Sequence, residues 1–235
     1  MSDYTKIRFT NTEDPDRSAI LTLPATPEQF LEVMRRIGVG AIGNGCKVTD
    51  FASDVPALDQ LLAVNPDAVI DATLNELNYA AARIAALTPA QRRLLDAVSE
   101  SPLRLRTLER IIDFKENSAF FLLLSEAKNA DELGRYYAYQ SAMVDMPKSW
   151  KAAIDLEKLG MIVDEEKRGA FTPRGYILPS GVKWTPRFER NPVVPKAYRV
   201  TGSESGRSVR ARLKSEKDGL FKASERKPDT PDYER

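Results

Sequence analysis

The same four-residue signal occurs twice in this chain, as TPEQ from Thr26 and as TPAQ from Thr88. A threonine whose hydroxyl accepts from a free backbone N–H, a proline preset for the first helical position and a glutamine reaching back to the cap together fix a helix start. Thr73 with Glu76 and Asn129 with Glu132 have the same three-residue spacing. Four such starts cut the sequence into short helices and leave the stretches between them to strands and loops.

The apolar positions complete the elements. Thr26 opens a helix with Phe30, Val33, Met34 and Ile37 on one face and a stop at Gly38. Before it, residues 4–10 and 19–23 are β-type runs joined by the turn-rich NTEDPDR, which predicts a hairpin; a third strand is expected over residues 46–51. From Pro56 the pattern is helical: residues 56–62, a helix with Leu77, Ala81 and Ile84 on one face, a helix with Leu94, Leu95 and Val98, and an amphipathic stretch over 103–112. The apolar run 119–124 suits a buried strand. The helix opened by Asn129 puts Leu133, Tyr136 and Tyr137 on one face and Tyr139 on another, so the first two rings read as core rather than as a base-stacking platform. A short helix over 148–159 and strands over 161–163 and 171–178 follow. The expected fold class is α+β: an elongated chain of three small modules, α/β over residues 1–53, helical over 54–114 and α+β over 115–178. Residues 179–235 are basic, with scattered prolines and little periodicity, and are expected to be mostly disordered.

What the chain lacks narrows its chemistry. There is no histidine and Cys46 is the sole cysteine, which removes Ser-His-Asp and Cys-His catalysis and the usual zinc sites. None of the 34 carboxylates sits in the spacing of a calcium loop. No catalytic residue, metal or cofactor is expected, and the protein is not expected to be an enzyme. Gly38, Gly40 and Gly43 spell G-x-G-x-x-G, but a predicted helix precedes them and a strand follows. Dinucleotide binding needs the reverse order, so the segment reads as a helix-to-strand loop. The longest uncharged runs, residues 18–27 and 37–46, hold ten residues each, short of the ~20 that a membrane helix requires. With a lone cysteine and no signal-peptide pattern at the start, a cytoplasmic location away from membranes is expected.

The formal charge of +1 hides an asymmetry. Residues 1–166 carry 26 acidic and 18 basic side chains, net −8, and residues 167–235 carry 8 acidic and 17 basic, net +9. Within the acidic part, residues 48–82 hold Asp50, Asp54, Asp59, Asp67, Asp71 and Glu76 with no lysine or arginine. These six are expected mainly on the surface, as candidate partner contacts. The basic end offers an alternative, nucleic-acid binding of weak and non-specific character through Lys196, Arg199, Arg207, Arg210, Arg212 and Lys214.

An ordered set of phrases resembles the ArdA antirestriction proteins of mobile elements. The phrases are LPATPEQFLEVMRRIGV at residues 23–39, LNELNYAAARIAAL at 74–87, ADELGRYY at 130–137, MPKSWKAAIDLEKLG at 146–160 and GAFTPRGYI at 169–177. The resemblance covers residues 1–178. It implies a DNA mimic whose surface carboxylates imitate duplex phosphates and occupy the DNA channel of a Type I restriction-modification enzyme. It further implies a homodimer formed through the third module, and it assigns Asp155 and Glu157, beside Gly160, to the antirestriction motif.

Overall fold

The predicted hairpin forms from β1, Thr5–Asn11, and β2, Ser18–Leu23, paired antiparallel with Ile7 opposite Leu21 and Thr5 opposite Leu23. A period of two sends Ile7, Phe9, Leu21 and Leu23 to one side, where all four are buried. Helix α1, Pro27–Arg36, begins at the expected cap: Thr26 accepts from the Gln29 N–H, and the Gln29 side chain returns to the Thr26 backbone. Its Phe30, Val33 and Met34 pack on the buried side of the hairpin. Gly38 follows in the left-handed region, φ +75°, where a side chain would be strained. Strand β3, Cys46–Ser53, then joins β1 antiparallel and completes a sheet of order β2-β1-β3. The computed structural model of the protein describes residues 5–40, 45–64, 74–141 and 147–201.

Helices α2, Pro56–Val64, α3, Leu74–Ala85, α4, Pro89–Ser99, and α5, Leu108–Asn117, form the middle of the chain. Thr88 and Gln91 build the second capping box as expected, whereas the Thr73 half of the third lies outside the described residues. Helix α5 begins later than the amphipathic stretch suggested. Thr107 caps it by accepting from the Arg110 N–H, which leaves residues 103–106 as a connecting loop.

The predicted strand at 119–124 is shorter, a 3-10 turn over Ser118–Phe120 followed by β4, Phe121–Leu124. Helix α6, Ala130–Arg135, starts at Asn129 and runs into a π-helical turn over Tyr136–Gln140. Helix α7, Lys148–Lys151, and helix α8, Leu156–Lys167, replace the single helix expected over 148–159 and also the strand expected over 161–163. Three apolar residues in a row mimic a strand there. A cap at Asp155 and a left-handed stop at Arg168 make the segment helical, with Val163 buried and Met161 and Ile162 in solvent. Strands β5, Ala170–Thr172, and β6, Gly175–Pro179, form a hairpin where one strand was expected, and the second sheet has the order β4-β6-β5. The molecule is thus a mixed helix and strand fold, with every strand among the described residues pairing antiparallel.

Among the described residues the apolar interior gathers into three clusters. The first sheet and α1 share one with Leu77 and Ala81 of α3. Helices α2 to α5 share another with Phe121, Ile177, Phe188 and Val194. The third holds Leu124, Leu133, Tyr137, Val163 and Tyr176.

Residues 180–201 correct the expectation of disorder. They run as a strap across the helices and bury Phe188, Val194 and Val200. The strap has almost no regular structure, and side chains of other elements take its backbone hydrogen bonds. The Asp113 carboxylate accepts from the Arg187, Phe188 and Glu189 N–H groups at 2.9 to 3.3 Å, and Asn117 accepts from Thr185 at 2.7 Å. Asn75 accepts from Val200 and Thr201, and Asn78 donates to the Tyr198 carbonyl. Periodicity is absent from its sequence because its partners lie about 70 to 125 residues away. No described helix is long and apolar enough to cross a membrane.

Candidate partner-binding surface

Asp50 projects from the edge strand β3, exposed, with the Arg8 Nε of the neighbouring strand 3.7 Å from its carboxylate. Asp54 is exposed in the turn after β3. Asp59 is exposed in the first turn of α2, where the positive end of the helix dipole favours a carboxylate, and it forms no ion pair among the described residues. Asp67 and Asp71 lie outside the described residues.

Glu76 corrects the surface assignment, because it is buried at 9% exposure. Helix α3 lies between the first sheet and the strap, and Asn75, Glu76, Leu77 and Asn78 are all covered. A run of acidic residues reads as a solvated face only while one side of the helix is free. On α3 both sides are occupied.

Asp155 and Glu157 sit at the start of α8, both exposed. The Asp155 carboxylate accepts from the Lys158 N–H at 3.0 Å and so serves as the helix cap, while Glu157 has no ion pair among the described residues. Helix α8 packs against α6 at two glycines. A Cβ on Gly134 would collide with the Leu156 carbonyl, and one on Gly160 would collide with the Ala130 carbonyl. The ADELGRYY and DLEKLG phrases therefore meet backbone to backbone. Below them Tyr137 is buried and Tyr136 half-buried, with ring centroids 5.4 Å apart, whereas Tyr139 is 48% exposed. The first two rings belong to the core, as their spacing predicts. Tyr176 is fully enclosed, donates to Asp164 Oδ1 at 2.7 Å and accepts from the Gly169 N–H. Burial first, and the bond to Asp164 second, push its pKa well above the ordinary phenol range.

Many other carboxylates are matched with cations. Asp14 pairs with Arg17 at 2.9 Å, Glu32 with Arg36, Asp131 with Arg135 at 3.1 Å, and Glu116 with Arg83. Arg174, from the turn of the second hairpin, reaches Asp96 at 3.3 Å and Glu100 at 3.2 Å, and Asp96 also holds Arg92. Sequence counting could not separate these matched carboxylates from Asp59 or Glu157.

The alternative basic candidates divide as well. Lys196 is exposed on a 3-10 turn, but the Arg199 Nε donates to the Val194 carbonyl at 2.9 Å and so holds the strap's own shape. Arg207, Arg210, Arg212 and Lys214 lie outside the described residues. A scan against protein-family models finds no match for this chain, and a search of the curated proteins finds none either.

Proposed function

We propose that this protein is a non-catalytic antirestriction factor of the ArdA type, which blocks the DNA site of a Type I restriction-modification enzyme with carboxylates in place of phosphates. The reading takes it as a cytoplasmic chain of three modules in line. The observation that carries it is the meeting of α6 and α8. Two phrases of the resemblance supply the two glycines of one helix contact, and the carboxylates of Asp155 and Glu157 are left on its solvent side. Asp50, Asp54 and Asp59 add exposed carboxylates at the other end of the sequence. Duplex DNA presents one negative charge per ~1.7 Å of axis, so it is the spacing of exposed carboxylates, not net charge, that an enzyme channel would meet. Exposed apolar side chains on α7 and α8, Trp150 at 69%, Met161 at 62% and Ile162 at 55%, support the homodimer that the same reading implies.

The test is competition for DNA binding by a Type I enzyme. A D54N/D59N/D155N/E157Q variant keeps a capping side chain at position 155, and exposed charge changes of this kind cost only ~0.5 kcal/mol each or less. It should fold as the parent does and inhibit about tenfold more weakly or worse. Inhibition equal to the parent's removes this surface from the mechanism. Tight duplex binding by the parent without any inhibition favours the nucleic-acid reading instead.

A further inference from the structure

We propose that Arg174 is a positioning residue: it fixes the angle at which the second sheet sits on α4, and through that sheet the direction in which α8 presents Asp155 and Glu157. The functional half of this inference rests on the antirestriction reading of those two carboxylates. The sheet joins two parts of the interior. Side chains alternate along its central strand β6, so Ile177 packs with the helices α2 to α5 while Tyr176 and Leu178 pack with α6 and α8. Strand β4 divides in the same way, with Phe121 on the first side and Leu124 on the second. Apolar burial is non-directional, so by itself it sets the separation of two layers more firmly than their rotation.

Arg174 adds a directional contact. It stands in the turn of the β5-β6 hairpin, where Thr172 Oγ1 accepts from the Arg174 N–H at 3.2 Å and donates to the Gly175 carbonyl at 2.8 Å. Gly175 follows at φ +133°, so close to the Leu124 carbonyl that a Cβ would collide with it. From this fixed turn the guanidinium reaches α4, with Nη2 3.3 Å from Asp96 Oδ2 and Nε 3.2 Å from Glu100 Oε1. Arg92 holds the other Asp96 oxygen, donating from Nε at 3.1 Å. The Asp96 and Arg92 side chains are only 13% and 17% exposed, so salt screens this network far less than a surface pair. A planar guanidinium held by two carboxylates one helical turn apart has a set orientation, which a point charge would lack.

The opposite side is tied two residues further on. Tyr176 donates to Asp164 of α8 at 2.7 Å and accepts at 3.1 Å from the Gly169 N–H, just past the end of that helix. One short stretch of chain is therefore anchored to α4 by Arg174 and to α8 by Tyr176. Asp155 and Glu157 lie at the far end of α8, so any rotation of the sheet on α4 is carried along the helix to them. Asp164 to Asp155 spans about 13 Å of helix, and a tilt of about 10° moves the start of α8 by roughly 2 Å. That displacement is as large as the ~1.7 Å of axis that separates successive charges of duplex DNA. An array of carboxylates that imitates phosphates needs this angle held.

Distance measurement between two spin labels on the full chain tests this, at Arg93→Cys on α4 and Lys158→Cys near the start of α8, both exposed positions, in a Cys46→Ser background. With Arg174 present the labels should give one narrow distance distribution. Arg174→Gln should shift or widen it by about 2 Å or more, the displacement expected for a small tilt of the helix. Arg174→Lys keeps the charge and can keep one of the two bonds, so it should fall between, and it carries the same test if Arg174→Gln does not fold. In unlabelled protein Arg174→Gln should inhibit a Type I enzyme about tenfold more weakly, because carboxylates at the two ends of one array no longer meet the channel together. Arg174→Lys should again be intermediate. An unchanged distance distribution overturns the proposal, and a lower urea midpoint without such a change would make Arg174 a stabilising residue only. A changed distance with inhibition equal to the parent's overturns it too. The distance measurement needs no restriction enzyme, whereas failure of the antirestriction reading appears as a D54N/D59N/D155N/E157Q variant that inhibits as the parent does, so the two are told apart.

Discussion

At the residue scale, the third cluster depends on what is missing at two positions and present at two others. Gly160→Ala forces a methyl into the Ala130 carbonyl of a neighbouring backbone, and backbone cannot rotate aside as a side chain does. Separating α6 from α8 should cost about 1 to 3 kcal/mol or more, read from urea unfolding. Tyr137→Ala empties a buried aromatic site and should cost roughly 3 to 5 kcal/mol, whereas Tyr139→Ala, at an exposed ring, should be mild. Equal small shifts for both would mean that the helix face is wrong. Tyr176 adds a pH dependence. Its folded pKa is raised above the ordinary 10.0, so below about pH 10 folded and unfolded chains both hold the proton and the contribution is complete. As pH rises further the unfolded chain releases its proton first, and stability falls. Tyr79 and Tyr137 shift in the same direction, chiefly through burial. Melting temperature should be flat to pH 9.5 or so and decline beyond pH 10, less steeply in Tyr176→Phe.

Among the elements, the strap is the one that depends most on distant partners. The Asp113 carboxylate gathers three consecutive backbone N–H groups, so Asp113→Ala leaves them without that acceptor, the Phe188 N–H in a buried site. A loss of about 2 to 4 kcal/mol is expected, since hydrogen bonds to charged groups are worth ~1.5 to 3 kcal/mol each and some are replaced by water. Hydrogen exchange should show the Arg187, Phe188 and Glu189 amides losing protection while the β1-β2 ladder keeps its own. Helix starts were the most legible part of the sequence, because a capping box is a local arrangement of four residues: Thr26 and Thr88 act as written, and Asn129 accepts from the Glu132 N–H. Met161 and Ile162 were misread because their exposure breaks the rule that apolar residues mark a covered face.

For the whole molecule, the strap moves the boundary of the folded unit. A chain ending at Pro179 loses Phe188, Val194 and Val200 from two clusters. Full burial of each such side chain is worth about 1.5 to 3 kcal/mol. Chemical denaturation should therefore find it less stable by roughly 5 kcal/mol or more than a chain ending at Thr201, and a comparable midpoint for the two would show that the strap is dispensable. Any test of the acidic surface by truncation should stop after Thr201, because a shorter chain confounds loss of contact with loss of fold.

Local chemistry let the sequence determine the first hairpin, the capped starts of α1, α4 and α6, the core role of Tyr136 and Tyr137, and the order of helix before and strand after the Gly38 segment, whose residues 41–44 lie outside the described residues, each resting on groups within a few residues of one another. Charge counting located where carboxylates are dense and no more. Whether a carboxylate is free, matched or buried depends on what another part of the chain lays against it. Only the tertiary structure separated exposed Asp59 from buried Glu76 and matched Asp96 with Arg174 from 78 residues away. Those placements follow from packing of α2, α3 and the strap around a shared interior, and no periodicity along the chain encodes them.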